Sequence, residues 1–144
     1  DIHNEGTQKS IQKIIFALDN ERISIRKKLG YKSPHFPIKD HYANKGKNWM
    51  YGNLAHDKLV SSKDWREDID IHKHRYIIED IKEGLVFMYS LAEKLNIKVP
   101  ITSGLLDITS AILGINIKKQ GRNLKNLGIN YNLNKLKKIL SNHI

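Results

Sequence analysis

The sequence predicts an all-α fold, a single compact domain of about six to eight helices. Apolar residues recur at spacings of three and four along several segments, which is the period of an amphipathic helix. Strand signals are scarce, because no run of alternating residues is bounded by an Asn-Gly or Asp-Gly turn. The length of 144 residues and the hydrophobic content of 40% suit one domain rather than two. We therefore treat residues 1–144 as one helical unit.

The first predicted helix covers residues 7–29 and ends at Gly30, because glycine commonly caps helices in the left-handed conformation. Its apolar positions recur at spacings of three, four and seven. They are Ile11, Ile14, Ile15, Leu18, Ile25 and Leu29. We expect this stripe to face the core of the domain.

A loop is predicted after the first helix. Residues 31–48 contain Pro34 and Pro37, so they leave room for at most a short helix at 38–43. Residues 49–60 can form a modest further helix.

The clearest helix start lies at Asp80, which is followed three positions later by Glu83 in the capping-box pattern. The helix is predicted to cover residues 80–95 and to bury an apolar stripe. That stripe consists of Leu85, Met88, Ala92 and Leu95. Three further helices are predicted, each next to a residue that starts or stops a helix. They are 101–113 between Pro100 and Gly114, 121–127 before Gly128, and 133–140 after Asn132.

The positive charge of the chain is concentrated towards its end. Lys and Arg number 25 against 15 Asp and Glu, and residues 108–144 hold seven of the ten net charges without any Asp or Glu. Such an end can attract nucleic acid or another anion, or it can be a solvated lysine-rich face. A nucleic-acid-binding module would use Arg122, Lys125, Lys135, Lys137 and Lys138.

Several function classes lack their usual residues. The chain has no Cys, which excludes disulfides and cysteine zinc sites. Its nine glycines form neither G-x-G-x-x-G nor a P-loop, and there is no G-x-S-x-G or H-E-x-x-H pattern. No apolar run reaches the roughly 20 residues of a membrane span, and residues 1–10 lack a signal-peptide pattern. We therefore expect a cytoplasmic protein with no membrane partner.

Two histidines at 72 and 74 form the first group that could carry chemistry. In an extended segment His72 and His74 would face the same side and could chelate zinc or nickel. No acidic or thiol ligand stands at a suitable spacing, so we predict surface histidines and no metal site.

The second group is the stretch from Arg75 to Asp80. In a structural interpretation, Arg75 pairs with Glu79 one helical turn away and Asp80 caps the following helix. In a functional interpretation, the guanidinium of Arg75 binds a substrate carboxylate and the Asp80 carboxylate orients a catalytic imidazole. The spacing alone is satisfied by the structural interpretation.

Several segments of the chain, in order from residue 5 to residue 129, carry a family resemblance. They are Glu5-Gly6-Thr7; Ala17-Leu18-Asp19-Asn20-Glu21-Arg22; His74-Arg75-Tyr76-Ile77-Ile78-Glu79-Asp80-Ile81 with Gly84-Leu85-Val86 and Leu91-Ala92; and Gly121-Arg122-Asn123-Leu124 with Leu127-Gly128-Ile129. Together they resemble the octopine/nopaline (opine) dehydrogenase family. Any one of these motifs alone would be weak, and their shared order makes the resemblance specific.

The resemblance implies an enzyme of two domains. Members join an N-terminal Rossmann domain, which binds NAD or NADP, to a C-terminal all-helical domain that this chain matches, and the active site lies between them. They condense the amino group of an amino acid or related amine with a 2-oxo acid such as pyruvate, and they reduce the imine by hydride transfer. The resemblance implies that Arg75 binds substrate carboxylate and that Asp80 pairs with the catalytic histidine. The expected partners are these small molecules and the Rossmann domain, and a homodimer is left open.

The catalytic histidine is not matched in this chain. In the family it precedes the segment that matches residues 5–7, and His3 lacks the Asn-rich and small-residue context of that position. We therefore expect the histidine to lie upstream of Asp1, and we expect residues 1–144 alone to be inactive.

Three functions thus follow from the sequence. The leading one is the substrate-binding domain of an opine-type dehydrogenase. The others are the basic nucleic-acid-binding module and a helical adaptor in which residues 75–80 only cap a helix. The amino donor, the oxo acid and the choice between NADH and NADPH are left open.

Overall fold

The computed structural model describes residues 6–42, 55–62 and 69–141, and every regular element in those ranges is a helix. In chain order they are α1 (Lys9–Leu29), a 3-10 helix (Ile38–Tyr42), α2 (Ala55–Ser62), a π-helix (Tyr76–Leu85), α3 (Val86–Leu95), α4 (Pro100–Leu113), α5 (Ile117–Gln120) and α6 (Leu133–Ser141). The all-α prediction is therefore confirmed.

Most predicted helix ends occur where the sequence placed them. Gly30 ends α1 in the left-handed conformation at φ 98°, and Gly114 ends α4 at φ 65°. Pro100 is the first residue of α4, where its missing N–H leaves no bond unmade. The side chain of Asn132 accepts a hydrogen bond from the Lys135 N–H at 2.9 Å, which caps the start of α6.

The predicted helix at residues 121–127 is wrong. A short helix, α5, ends just before this segment, and Asn116 caps it by accepting from the Lys119 N–H at 3.1 Å. Gly121 is extended, and the Asn123 side chain accepts from the Asn126 N–H at 2.8 Å, which forms a local turn instead of a helix. Gly128 ends this turn in the left-handed conformation, at φ 68°, which glycine adopts without strain.

The predicted helix at residues 49–60 is described only from Ala55, as part of α2, so its Trp49 and Met50 lie outside the described residues. The expected short helix after Pro37 is the 3-10 helix Ile38–Tyr42.

Two clusters of buried apolar side chains form the core. The larger cluster joins α1 to α3 and to the last third of the chain through Ile25, Leu29, Leu91, Ala92, Leu95, Val99, Leu124 and Leu136. The smaller one joins the start of α3 to α4 and α5 through Val86, Leu106 and Ile117. Because α3 contributes to both, its position fixes the π-helix that leads directly into it.

The predicted N-cap at Asp80 is wrong. Helical structure begins at Arg75, and Asp80 lies in the middle of the π-helix Tyr76–Leu85. The capping-box pattern predicted a start too late, because it belongs to α-helices. It does not indicate a π-helix, whose backbone bonds join residues five apart. Of the predicted stripe, Ala92 and Leu95 are buried and Leu85 and Met88 are half-buried.

Candidate functional site around the π-helix

The π-helix changes which side chains share a side of the chain. Arg75 and Asp80 are five residues apart, and on an α-helix that spacing would place them about 140° apart around the axis. In a π-helix the backbone bonds join residues five apart, so such residues lie one turn above another. The element therefore makes Arg75 and Asp80 neighbours one turn apart.

The Arg75 guanidinium forms an ion pair with Glu79. Its Nη2 lies 3.2 Å from Glu79 Oε2, and both side chains are more than half exposed. A pair of this exposure stabilises the fold by about 0–1 kcal/mol at most. The predicted Arg75–Glu79 pair is thus confirmed, and it is weak enough for another carboxylate to compete for the guanidinium. The Asp80 side chain is exposed.

The junction between the π-helix and α3 leaves one carbonyl without its helical donor. The Val86 N–H bonds to Ile81 O, five residues back, so it does not bond to Lys82 O. Lys82 O instead accepts from the Arg122 N–H at 3.0 Å. Gly121 lies so close that an added Cβ would be 2.4 Å from Lys82 O and 2.9 Å from a methyl of Val86. The late Gly-Arg motif therefore packs directly on the π-helix.

The Arg122 side chain also returns to this region. Its Nε lies 3.7 Å from Glu83 Oε2, and its guanidinium lies 5.6 Å from the centre of the Phe87 ring. Arg122 was a candidate for nucleic-acid binding, and here it is engaged with the π-helix and α3. The ammonium group of Lys135, another such candidate, lies over the Tyr131 ring at 4.3 Å.

A buried carboxylate that the sequence analysis did not select holds two distant helices together. Glu21 on α1 is 9% exposed and accepts from the N–H groups of Ile101 and Thr102 at 2.7 and 2.9 Å. Its Oε2 also accepts from the Thr102 hydroxyl at 2.6 Å. A carboxylate at this place satisfies the free N–H groups at the start of α4 and opposes the positive end of its dipole. Glu21 has a structural role.

Asp19 and Arg22 lie one helical turn from each other on α1. Together they fix the loop that leads into the 3-10 helix. Asp19 accepts from Arg22 Nε at 2.6 Å and from the Ile38 N–H at 2.8 Å. Arg22 Nη2 donates to the carbonyls of His35 and Phe36, each at 2.9 Å. The motif from Ala17 to Arg22 therefore organises the fold around the site.

The histidines singled out by the sequence are not brought together as a metal site. His74 Nδ1 accepts from the Tyr76 N–H at 3.3 Å, and its ring contacts the Tyr76 ring at a tilt of 60°, with the ring centres 4.5 Å apart. Across residues 6–42, 55–62 and 69–141, no three His, Asp or Glu side chains are grouped to hold a metal ion. His3 lies outside the described residues.

The described residues do not fit a nicotinamide dinucleotide. Such cofactors bind where a strand, a Gly-rich turn and a helix N-terminus follow one another. The described ranges contain no strand, and their left-handed glycines at 30, 114 and 128 end helices and a turn instead of opening a helix. In the same ranges, no helix has the length and apolar character to cross a membrane.

Comparisons with known proteins agree with the resemblance. A family model described as "NAD/NADP octopine/nopaline dehydrogenase, alpha-helical domain" matches residues 1–113. "Opine dehydrogenase" of Arthrobacter sp. (strain 1C) is 27% identical over 130 residues, which cover 87% of this chain and 34% of the relative. "Protein ocs" of Agrobacterium vitis is 27% identical over 119 residues, which cover 80% of this chain and 32% of the relative. The chain spans about a third of the length of these curated relatives.

The match with the family model includes the π-helix but ends before Gly121, so the family resemblance of residues 121–129 stays a prediction. Nothing in the comparisons supports the nucleic-acid alternative. Because the match covers most of the chain and every regular element of the described ranges is a helix, the chain belongs to the NAD/NADP octopine/nopaline dehydrogenase family, within its alpha-helical domain.

Proposed function

We propose that this chain is the substrate-binding helical domain of an opine-type dehydrogenase. The complete enzyme would carry out the NAD(P)H-dependent reductive condensation of an amino acid or amine with a 2-oxo acid. The observation that carries the proposal is the π-helix, which lies inside the family match and aligns Arg75 with Asp80. The cofactor, NAD or NADP, would be bound mainly outside the described residues.

Arg75 is proposed to bind a substrate carboxylate. Its planar guanidinium can form two parallel hydrogen bonds to a carboxylate, which fixes both the position and the orientation of the substrate. Its partner Glu79 is exposed, so exchanging that carboxylate for one on the substrate costs little. Arg75 would thereby act by positioning the substrate near Asp80.

Asp80 is proposed to pair with the catalytic imidazole. A carboxylate beside an imidazole selects its tautomer and stabilises the imidazolium that forms when it accepts a proton. The exposed position of Asp80 leaves the carboxylate accessible to a histidine from another part of the protein.

The test uses the complete natural protein and follows the loss of NADH and of NADPH when amino acids and 2-oxo acids are supplied in pairs. We expect oxidation that requires both substrates. Asp80→Asn should lower kcat by a factor on the order of 10² or more, because the amide cannot stabilise an imidazolium. Arg75→Lys should raise KM for a carboxylate substrate by about tenfold, because the bidentate contact is lost.

Glu79→Gln is the matched control, since it removes a neighbouring exposed carboxylate and should leave kcat nearly unchanged. Thermal unfolding should be close to that of the parent for all three variants, since none of these side chains is buried. Unaltered kinetics for both Asp80→Asn and Arg75→Lys would refute the assigned roles. Failure of every substrate pair would refute the proposed reaction.

A further inference from the structure

A pocket of about 550 Å³ lies between α1, the turn after it and the start of α3. This volume is within the range of small-molecule sites in proteins. Its apolar lining comes from Ile15, Leu18, Phe36, Ile38, Leu85 and Met88. An apolar ligand body of several carbons could therefore be removed from water here.

The charged side chains of this pocket differ in whether their hydrogen-bonding groups have partners. Asp19 and Arg22 line it, but they bond to one another and to the backbone of the turn that follows α1. Asp19 is the only acidic side chain of the described lining, so this pair is electrically neutral. The remaining positive charge in the pocket is Arg26.

Arg26 lies one turn beyond Arg22 on the same helix, with its guanidinium 4.7 Å from the centre of the Tyr31 ring. Its Nε is buried and has no hydrogen-bond acceptor among the described residues. Arginine stays charged in proteins, so it cannot escape burial by losing a proton. A buried donor without an acceptor costs free energy that a bound anion would recover.

The turn beside the pocket lies close to the same cations. Burial, and then the charges of Arg26, Lys27 and Arg22, lower the pKa of His35. The backbone carbonyl of His35 already accepts from Arg22, which places the residue at the edge of this pocket. A bound anion would offset part of that charge and would raise the pKa of His35 again.

We propose that this pocket binds a small organic carboxylate with an apolar body, whose carboxylate accepts from Arg26 and whose body lies against Leu85 and Met88. The arrangement matches such a ligand at both ends, because it joins an apolar wall to a guanidinium whose Nε has no acceptor among the described residues. This inference does not depend on the roles proposed for Arg75 and Asp80.

The experiment uses the complete natural protein labelled with ¹³C at the methionine methyl groups, with the Met88 signal identified by its loss in Met88→Leu. Hexanoate, 1-hexanol and acetate are titrated separately. We expect hexanoate to shift the Met88 signal with saturation, and we expect the alcohol and acetate to bind at least tenfold more weakly because each lacks one of the two contacts. The His35 imidazole should titrate at higher pH with hexanoate bound.

Arg26→Gln should weaken hexanoate binding at least tenfold. Lys27→Gln is its matched control, since it removes one charge from the next, exposed position and should leave binding unchanged. Leu85→Phe provides a second test that keeps Arg26, because the larger ring should fill the pocket and reduce binding. The proposal is overturned if hexanoate and hexanol bind equally, if hexanoate leaves the Met88 signal unshifted, or if Arg26→Gln and Leu85→Phe both bind hexanoate like the parent.

Discussion

Glu21 shows how much of this fold can depend on one carboxylate. It joins residues of α1 and α4 that are 80 and 81 positions apart in the chain, through three hydrogen bonds. Replacement by Ala would leave two N–H groups and a hydroxyl without their acceptor in a buried place. Hydrogen bonds to charged groups contribute roughly 1.5–3 kcal/mol each and are not additive.

We therefore expect Glu21→Ala to lower the free energy of unfolding by about 3 kcal/mol or more. Glu21→Gln retains one side-chain oxygen and should lower it by roughly half as much. Urea unfolding measures both, with Asn20→Ala as the control at the neighbouring exposed position. Equal stability of Glu21→Ala and Asn20→Ala would contradict the capping role.

His35 gives the stability a definite pH dependence. Its folded-state pKa is lowered from the usual 6.5 by burial and by Arg26, Lys27 and Arg22. The unfolded chain therefore binds a proton at this residue before the folded chain does, and stability falls as the pH falls through about 6.5. The loss levels off below the folded-state pKa.

We expect His35→Asn to make the free energy of unfolding less dependent on pH below about 6.5. Urea unfolding at several pH values would measure the difference between the variant and the parent. His72→Asn is a suitable control, because His72 is exposed and distant in sequence from the three cations. An unchanged slope in His35→Asn would contradict the lowered pKa.

For single residues, the sequence indicates that Glu21 is unusual but does not show which groups it bonds to. Glu21 lies three residues after Leu18 and four before Ile25 on the same helical stripe, so a charge on the buried side could be noticed. Its partner Thr102 is distant in the chain, and only tertiary packing brings the two together. Local periodicity has no information on such a pair.

Among the helical elements, those ended by special residues were predictable and the π-helix was not. Gly30, Pro100 and Gly114 end or begin helices through their own backbone preferences, so the sequence predicts these helix ends correctly. Near the end of the π-helix, Lys82 O accepts a hydrogen bond from the Arg122 N–H, and this bond depends on a segment 40 residues away. The roles of Arg75 and Asp80 therefore stay predictions, and the sequence did not predict the π-helix that makes these two residues neighbours.

Gly121→Ala tests the contact on which that geometry depends. The new Cβ would meet Lys82 O, a backbone atom that cannot rotate away, so we expect a loss of roughly 1–3 kcal/mol in the free energy of unfolding. Gly104→Ala is a matched control within α4, where an added Cβ would meet no described atom within 4 Å. It should gain roughly 0.5–1 kcal/mol, as Ala does over Gly inside a helix. Similar effects of the two substitutions would exclude the close approach.

For the whole molecule, the absence of strand signals correctly predicted an all-helical structure across the described ranges. The expectation that residues 1–144 form no dinucleotide-binding turn rests on the glycine positions, because the required spacing does not occur in the sequence, and it stays a prediction. The sequence could not supply the contacts between helices, since those are set by shapes that periodicity does not encode.

A polypeptide of residues 1–144 is accordingly expected to bind neither NADH nor NADPH with micromolar affinity. Calorimetric titration of each cofactor would measure this, and circular dichroism would establish that the polypeptide is helical under the same conditions. Micromolar binding by the helical polypeptide would show that the cofactor is held by residues of this chain.

The π-helix also determines which changes of chain length the site would tolerate. Lys82 O is passed over where the five-residue bonds of the π-helix change to the four-residue bonds of α3. The helix that leads into α3 therefore holds one residue more than a continuous α-helix would. Removal of one residue between Arg75 and Asp80 would leave these two residues four apart, and in a continuous α-helix that spacing again makes them neighbours one turn apart. Related chains that are one residue shorter here would then keep the fold and the neighbouring positions of Arg75 and Asp80 in an α-helix, without the π-helix.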